Sequence, residues 1–529
     1  MTTDLFPGTA GLTTTAIRCN RTGPPRRVPV LRVLAVLIAV FSLMPLGYVA
    51  YMTVAIGWQD AVALVFRARV GELLLNTVLL VMLTVPLCLV LGVGGAWLVE
   101  RTRLVGHRWW ALALAAPLAI PAFVNSYGWV SAVPSLGGLW AGVLIAVLSY
   151  FPLVYIPAAA SLSRLDPAIE DSAAALGLGP WRVFRRVVLP QLRVAMTGGA
   201  LLVGLHLLAE YGAFAMIQFD TFTTAIMVQY QSTFNGAAGN MLASVLVFFC
   251  LVFLVVEVRS RGGNRYARVG SGAQAAPSRM ALGSYQPLAQ LALAALVALG
   301  VGLPLCFVVR WIVAGGSAIW VPDELVPALV QTLAYGAAGA LLTTLVAFPM
   351  AFLAVRHPSW FTKALELSNY VTSSMPGIVV GLAFVTVSIR LVPDAYQTAW
   401  VLLPAYVLLF LPRALVSLRS GLAQAPKELE EAAQALGTRP LAAFMRVTLR
   451  LTAPAAAGGA ALVVLAVVNE LTATLMLAPT GTRTLAMQFW SKSSEIDYAG
   501  AAPYALMMIV LSAPMTYLLF QQSKKVAGQ

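Results

Sequence analysis

Charged side chains are scarce in this 529-residue chain: 10% of residues are Asp, Glu, Lys or Arg, against about 25% in an ordinary soluble domain. That scarcity excludes a water-soluble enzyme. Cysteine is rarer still, and Cys19, Cys88, Cys250 and Cys306 lie far apart. Neither a CxxC ligand spacing nor a disulfide framework is available, which removes zinc and thiol redox chemistry. No GxxxxGK[ST] run, the phosphate-cradling loop of nucleotide hydrolases, occurs anywhere. Nucleotide hydrolysis is therefore expected on another polypeptide, and this chain is read as no enzyme. The formal net charge of +14, on so apolar a chain, points to topology signals and a lipid bilayer with an anionic surface, not to nucleic acid.

Hydrophobic residues make up 60% of the chain and the mean hydropathy is +0.84. A helix needs about 20 apolar residues to cross the hydrocarbon. Scanning at that length predicts twelve spans, at 31–55, 73–99, 109–131, 138–160, 194–218, 239–258, 288–313, 328–355, 364–389, 398–418, 454–478 and 499–521. The expected fold class is thus all-α integral membrane. The segment before Leu31 lacks the layout of a cleaved secretory signal, so the first span reads as an uncleaved anchor. With the N-terminus in the cytoplasm, 28 of the 34 basic residues fall inside, the stretch 413–450 contributing six. The reverse orientation violates the positive-inside rule almost completely. Both termini are then cytoplasmic, in a multi-pass membrane protein.

Residues 259–287 are rich in Arg, Gly, Ser and Ala, the composition of a flexible linker. They separate a first half at 31–258 from a second at 288–521, with tails at 1–30 and 522–529. A shift of 260 superimposes Gly177 on Gly437, Pro180 on Pro440, Phe184 on Phe444, Arg186 on Arg446, Leu189 on Leu449 and Glu210 on Glu470. A shift of 255 pairs Thr77 with Thr332, Arg101 with Arg356 and Pro121 with Pro376. Two parallel six-span repeats related by an axis along the membrane normal favour a pathway between them.

Two cytoplasmic loops occupy matched places: LDPAIEDSAAALGLGPWRVFRRVVLPQL at 165–192 and APKELEEAAQALGTRPLAAFMRVTLRLT at 425–452. Each predicts a short helix with an acidic first turn, a Gly that stops it, and a second basic helix. A short helix tied to a span at each end is either a solvated connector or a lever for a soluble partner. The second loop carries Glu431, Ala432, Ala433, Gly437, Val447 and Leu449, with Arg450 where a Pro would complete the pattern; the first carries Asp171, Ser172, Ala173, Gly177, Val187, Leu189 and Pro190.

That pattern, Glu-Ala-Ala, three residues, Gly, nine residues, an aliphatic, one residue, Leu-Pro, resembles the signature of permease subunits of binding-protein-dependent ABC importers. Segments such as PLAIPAFVNSYGWV, AEYGAFAMIQFDTFTTAI, MPGIVVGLAFV and NELTATLMLAPTGTRTLAMQFW resemble more narrowly the fused two-repeat permeases of bacterial ferric iron importers. The resemblance implies a type I importer fold. It makes the short helices coupling helices, with Glu170, Asp171, Ala173, Ala174 and Gly177 in one loop and Glu430, Glu431, Ala432, Ala433 and Gly437 in the other. It implies a homodimer of an ABC ATPase, carrying ATP and Mg, and an extracytoplasmic substrate-binding protein, with no cofactor on this chain. Related permeases for thiamine, polyamine, phosphonate or sulfate share the loop signature, and an ion-gradient-driven secondary transporter is the alternative of another class.

Charge within a span is costly and marks a cavity or a partner. Glu210 and Glu470 fall at equivalent places in the predicted fifth and eleventh spans, near the expected axis. Ferric iron is a hard cation suited to oxygen ligands, so both are candidate transient metal contacts, with Tyr211 and Asn125 as neighbours on the pathway. The alternative is a structural carboxylate bonded to a facing helix. His206, one turn before Glu210, reads as a satisfied polar group. Asp220, Glu495 and Asp497 are candidate outer acceptors, or a solvated loop face.

Overall fold

A computed structural model describes residues 27–165, 167–232, 236–260 and 279–527. Every regular element among these is helical, apart from a single β-bridge between Thr102 and Met280. Eight helices are long and apolar enough to cross a bilayer, and twelve spans result when four bent pairs each count once.

The bends are where hydropathy misleads, because an apolar run carries no information about backbone direction. The segment expected as one span at 109–131 turns by 91° between His107–Ala119 and Ala122–Ala132. Its partner at 364–389 turns by 98° between Trp360–Thr372 and Gly377–Leu391. Both turns sit at the repeat-matched Pro121 and Pro376, whose ψ values of 142° and 147° end the helix. A proline lacks the N–H that would continue the ladder and forces its predecessor into extended backbone; Ile120 accordingly has ψ 115°. The first span starts at Arg27 rather than Leu31 and kinks by 44° at Leu43.

Two further spans end early. The segment expected at 194–218 is helical only to Ala209 and resumes as Gly212–Met216. That expected at 454–478 runs from Pro440 to Val468 and resumes as Thr472–Leu477. The two halves also differ before this point. Trp181–Gln191 and Arg193–Ala209 meet at 67°, next to Pro190, whereas Pro440–Val468, with Arg450 in that place, passes through as one span. The last helix reaches Ala527, so most of the expected tail 522–529 prolongs it. Of the expected linker, 261–278 lies outside the described residues, as does the N-terminal tail up to 26.

Each half lends its first span to the other. Phe41 of the first half meets Phe384 edge-on at 5.9 Å, and the Thr372 hydroxyl donates to the Ser42 carbonyl at 2.7 Å. Reciprocally, Trp311 Nε1 in Gly283–Gly315 donates to Ser131 Oγ at 3.0 Å and stacks on Tyr498. In lipid, where apolar burial supplies no drive between helices, such close packing and interhelical hydrogen bonds hold spans together.

Candidate translocation pathway and docking loops

The two repeat-matched loops at 165–192 and 425–452 fold alike. Pro167–Ala175 and Lys427–Ala435 are short helices that stop at Gly177 and Gly437, with φ of 82° and 88°. In each a paired terminal bond closes the helix: Gly177 N to Ala174 O and Leu178 N to Ala173 O, then Gly437 N to Gln434 O and Thr438 N to Ala433 O. This is the Schellman arrangement, which needs the left-handed backbone that glycine adopts without a Cβ penalty.

The acidic residues of these helices divide by face. Asp171 and Glu431 are exposed, and Glu431 pairs with Lys427 one turn away, at 2.8 Å. Glu170 and Glu430 point inward to Arg101 and Arg356. Burial pushes the Glu170 carboxyl above its ordinary range, more than the Arg101 charge draws it down. Ala173 and Ala433 are half-buried, while Ala174 and Ala432 are exposed. Sequence reasoning missed the apolar component of this surface. Leu176 and Leu436 are 85% and 88% exposed, and the shift of 260 that pairs them was the signal that pointed to them. With Trp181 and Leu441, also exposed, they give each loop an apolar prow of the kind that a partner covers.

Between the halves, Glu210 and Glu470 stand at the helix breaks and not inside continuous spans. Glu210 Oε1 accepts from Ala213 N at 2.9 Å, and Glu470 Oε1 from Ala473 N at 2.8 Å. Each carboxylate thus caps the short helix that follows, meeting backbone donors that the break would leave open. The second oxygens differ. Tyr150 donates its hydroxyl to Glu210 Oε2 at 2.5 Å. The shift of 260 matches Tyr150 to Phe410, which has no hydroxyl, and in the second half Tyr406 is bonded to Thr474 Oγ1 at 2.7 Å, which in turn donates to the Glu470 carbonyl at 3.1 Å. The breaks approach each other across the axis: a Cβ on Gly212 would lie 3.1 Å from Leu471 Cδ2.

Arg413 was counted with the cytoplasmic basic residues, and the structure corrects this. It lies well inside the helix Ala399–Ala423, with its guanidinium 5.3 Å from the Phe410 ring centre. Its charge acts on both Glu470 and His206, and it keeps solvent exposure there, while Glu210, Glu470 and His206 are half-buried. The space between the halves therefore holds a cation near Glu470. His206 Nδ1 lies 2.8 Å from the Leu202 carbonyl, a satisfied polar group. Tyr211 is buried against Trp490, ring centres 5.2 Å apart. Asn125 is buried too, its Nδ2 donating to Ser149 Oγ at 2.8 Å. Neither joins the carboxylates. Of the candidate outer acceptors, Asp220 is held by Arg69 at 2.7 Å, and Asp497 Oδ1 accepts from Gly500 N at 2.8 Å. Among the described residues no group of three or more His, Cys, Asp or Glu is placed to hold a metal ion.

Residues 337–528 match the family of binding-protein-dependent transport system inner membrane components. The Fe(3+)-transport system permease protein FbpB 2 of Haemophilus influenzae is 35% identical over 500 residues, covering 94% of this chain and 99% of that protein. The chain belongs to this permease family. The ferric transport system permease protein FbpB of Actinobacillus pleuropneumoniae is 23% identical, over 72% of this permease and 58% of that protein. The sulfate transport system permease protein CysW of Synechocystis is 26% identical over 34% of this permease and 73% of its own length. As an ABC permease it is a multi-pass translocation component of the membrane.

Proposed function

We propose that this permease imports ferric iron, delivered by an extracytoplasmic binding protein and driven by a homodimer of an ABC ATPase that grips the two docking helices. The observation that carries the reading is the end-to-end likeness to the Haemophilus Fe(3+) permease. The sulfate permeases match only about a third of the chain, over one repeat's length, so sulfate is the weaker reading. A gradient-driven carrier finds less support, since two matched docking helices serve a mechanical partner; thiamine, polyamine and phosphonate permeases share those helices, and the end-to-end likeness to the Fe(3+) permease is what favours iron over them.

In this reading both termini and both loops face the cytoplasm. Asp171 and Glu431, with Leu176 and Leu436, contact the ATPase. ATP and Mg stay on that subunit. Closure of the ATPase dimer moves the loops, and the halves alternate access to the space between Glu210 and Glu470. A two-carboxylate passage offers a ferric ion hard oxygen ligands without a closed cage, so that it passes and is not retained. Arg413 beside Glu470 keeps the local field from becoming a trap.

Co-purification tests the partner assignment. The chain, co-expressed with its ATPase, should yield a complex with two ATPase copies, whose hydrolysis rises on adding the iron-loaded binding protein. A chain that assembles with no ATPase would contradict it.

A further inference from the structure

The two longest first-half and second-half spans, Ala68–Arg101 and Pro322–Arg356, have 34 and 35 residues, about 50 Å each at 1.5 Å per residue. Each ends in an arginine that is nearly buried, Arg101 at 5% and Arg356 at 9% side-chain exposure. A guanidinium at the cytoplasmic rim has every opportunity to reach water, and neither does.

Instead each turns toward the docking helix of its own half. Arg101 Nη2 donates to the Leu165 carbonyl at 3.4 Å and pairs with Glu170 Oε1 at 2.7 Å. Arg356 Nη2 donates to the Ala425 carbonyl at 3.1 Å and lies 4.0 Å from Glu430 Oε2. Leu165 and Ala425, like Glu170 and Glu430, are related by the shift of 260, and the arginines by 255. The same three-point arrangement thus recurs in both halves, bridging the last carbonyl region before the docking helix and a carboxylate in its first turn. In each half one guanidinium nitrogen, Nη2, makes both contacts.

The halves are not equal. Glu430 also accepts from Thr448 Oγ1 at 2.7 Å, and the residue matching Thr448 is Val188, which has no hydroxyl to offer. Glu170 therefore leans on Arg101. The Arg101 backbone is itself anchored: its carbonyl accepts from Met280 N at 2.9 Å, and Arg103 N donates back to Met280 O at 2.9 Å. The end of the linker, just ahead of the second half, is pinned at the point where the first half grips its docking helix.

We propose that Arg101 and Arg356 are positioning residues, paired clamps that make each docking helix move with a transmembrane span, the first half depending on its clamp more than the second. The transmission role rests on the reading that an ATPase docks here; the clamp does not. Losing one partner of a nearly buried ion pair leaves an uncompensated charge, so the docking helix should loosen.

Two measurements on the full-length chain separate the claims. In nanodiscs without ATPase, hydrogen exchange of amides 167–175 in Arg101→Gln should quicken about tenfold as local opening becomes easier, with 427–435 unchanged. Glu170→Gln should reproduce this, and the exchange pair Arg101→Glu with Glu170→Arg should restore protection. Unchanged exchange in both single variants overturns the clamp. In the assembled transporter, Arg101→Gln should keep the ATPase bound and hydrolysing at its basal rate while importing several-fold less solute per ATP, and Arg356→Gln should show a smaller loss. A wild-type solute-to-ATP ratio in Arg101→Gln overturns transmission. A wild-type chain that recruits no ATPase overturns the proposed function instead, and the exchange experiment still decides the clamp.

Discussion

The Tyr150 hydroxyl donates a 2.5 Å hydrogen bond to Glu210 Oε2, and the residue matched to Tyr150 by the shift of 260 is Phe410, which has no hydroxyl to offer Glu470. The two carboxylates are equivalent in sequence and inequivalent in bonding. Tyr150→Phe removes the donor and leaves Oε2 with its desolvation uncompensated, a cost of about 1–3 kcal/mol. The apparent Tm at a fixed scan rate should fall, and Thr474→Val should lower it through the other half. An unchanged Tm for Tyr150→Phe contradicts the bonding described.

Charge and capping at these residues can be separated. Glu210→Gln with Glu470→Gln keeps an oxygen for the Ala213 and Ala473 amides and removes the charge, with the acceptor of the Tyr150 bond lost at Glu210 as well. The double variant should assemble with its ATPase and import at least about tenfold less, since intramembrane carboxylates mark ion routes. Alanine at either position should also destabilise by about 1 kcal/mol through the lost cap. Normal uptake by the double Gln variant would remove the carboxylates from the pathway.

Arg413→Gln takes a cation away from Glu470 and His206. Without that repulsion a metal cation should dwell longer beside Glu470. Uptake at saturating binding protein should slow while the complex stays intact. A turnover equal to wild type would exclude Arg413 from the route.

Gly437 has φ 88° and donates its N–H to Gln434 O. Proline fixes φ near −65° and has no N–H, so Gly437→Pro should distort the docking helix and raise the ATP hydrolysed per solute imported. Gly437→Ala, at a left-handed cost of about 1–2 kcal/mol, should do so less. Equal ratios in wild type and Gly437→Pro would show that this loop does not transmit.

The docking helices were legible because three local signals agree in each: an acidic first turn, an alanine run and a stopping glycine. Membrane spans were legible in number, since length and hydropathy report them, but not in path. Pro121 and Pro376 had been paired by the repeat, yet a proline in an apolar run reads equally as a mild kink or a right-angle break. Glu210 and Glu470 were found for their cost in lipid, while their capping role needed the backbone break that only tertiary packing creates. Arg413 was missed because a basic residue near a predicted span end looks like a topology signal. Its true depth depends on how far the helix extends past Leu418, and that extension follows from the docking loop.

The central claim is ATP-driven ferric import. Radiolabelled ferric iron should accumulate in proteoliposomes holding this chain and its ATPase, with the binding protein on one side and ATP on the other, and accumulation should cease without ATP or binding protein. A verified complex whose hydrolysis the binding protein stimulates, but which takes up no iron, would contradict it.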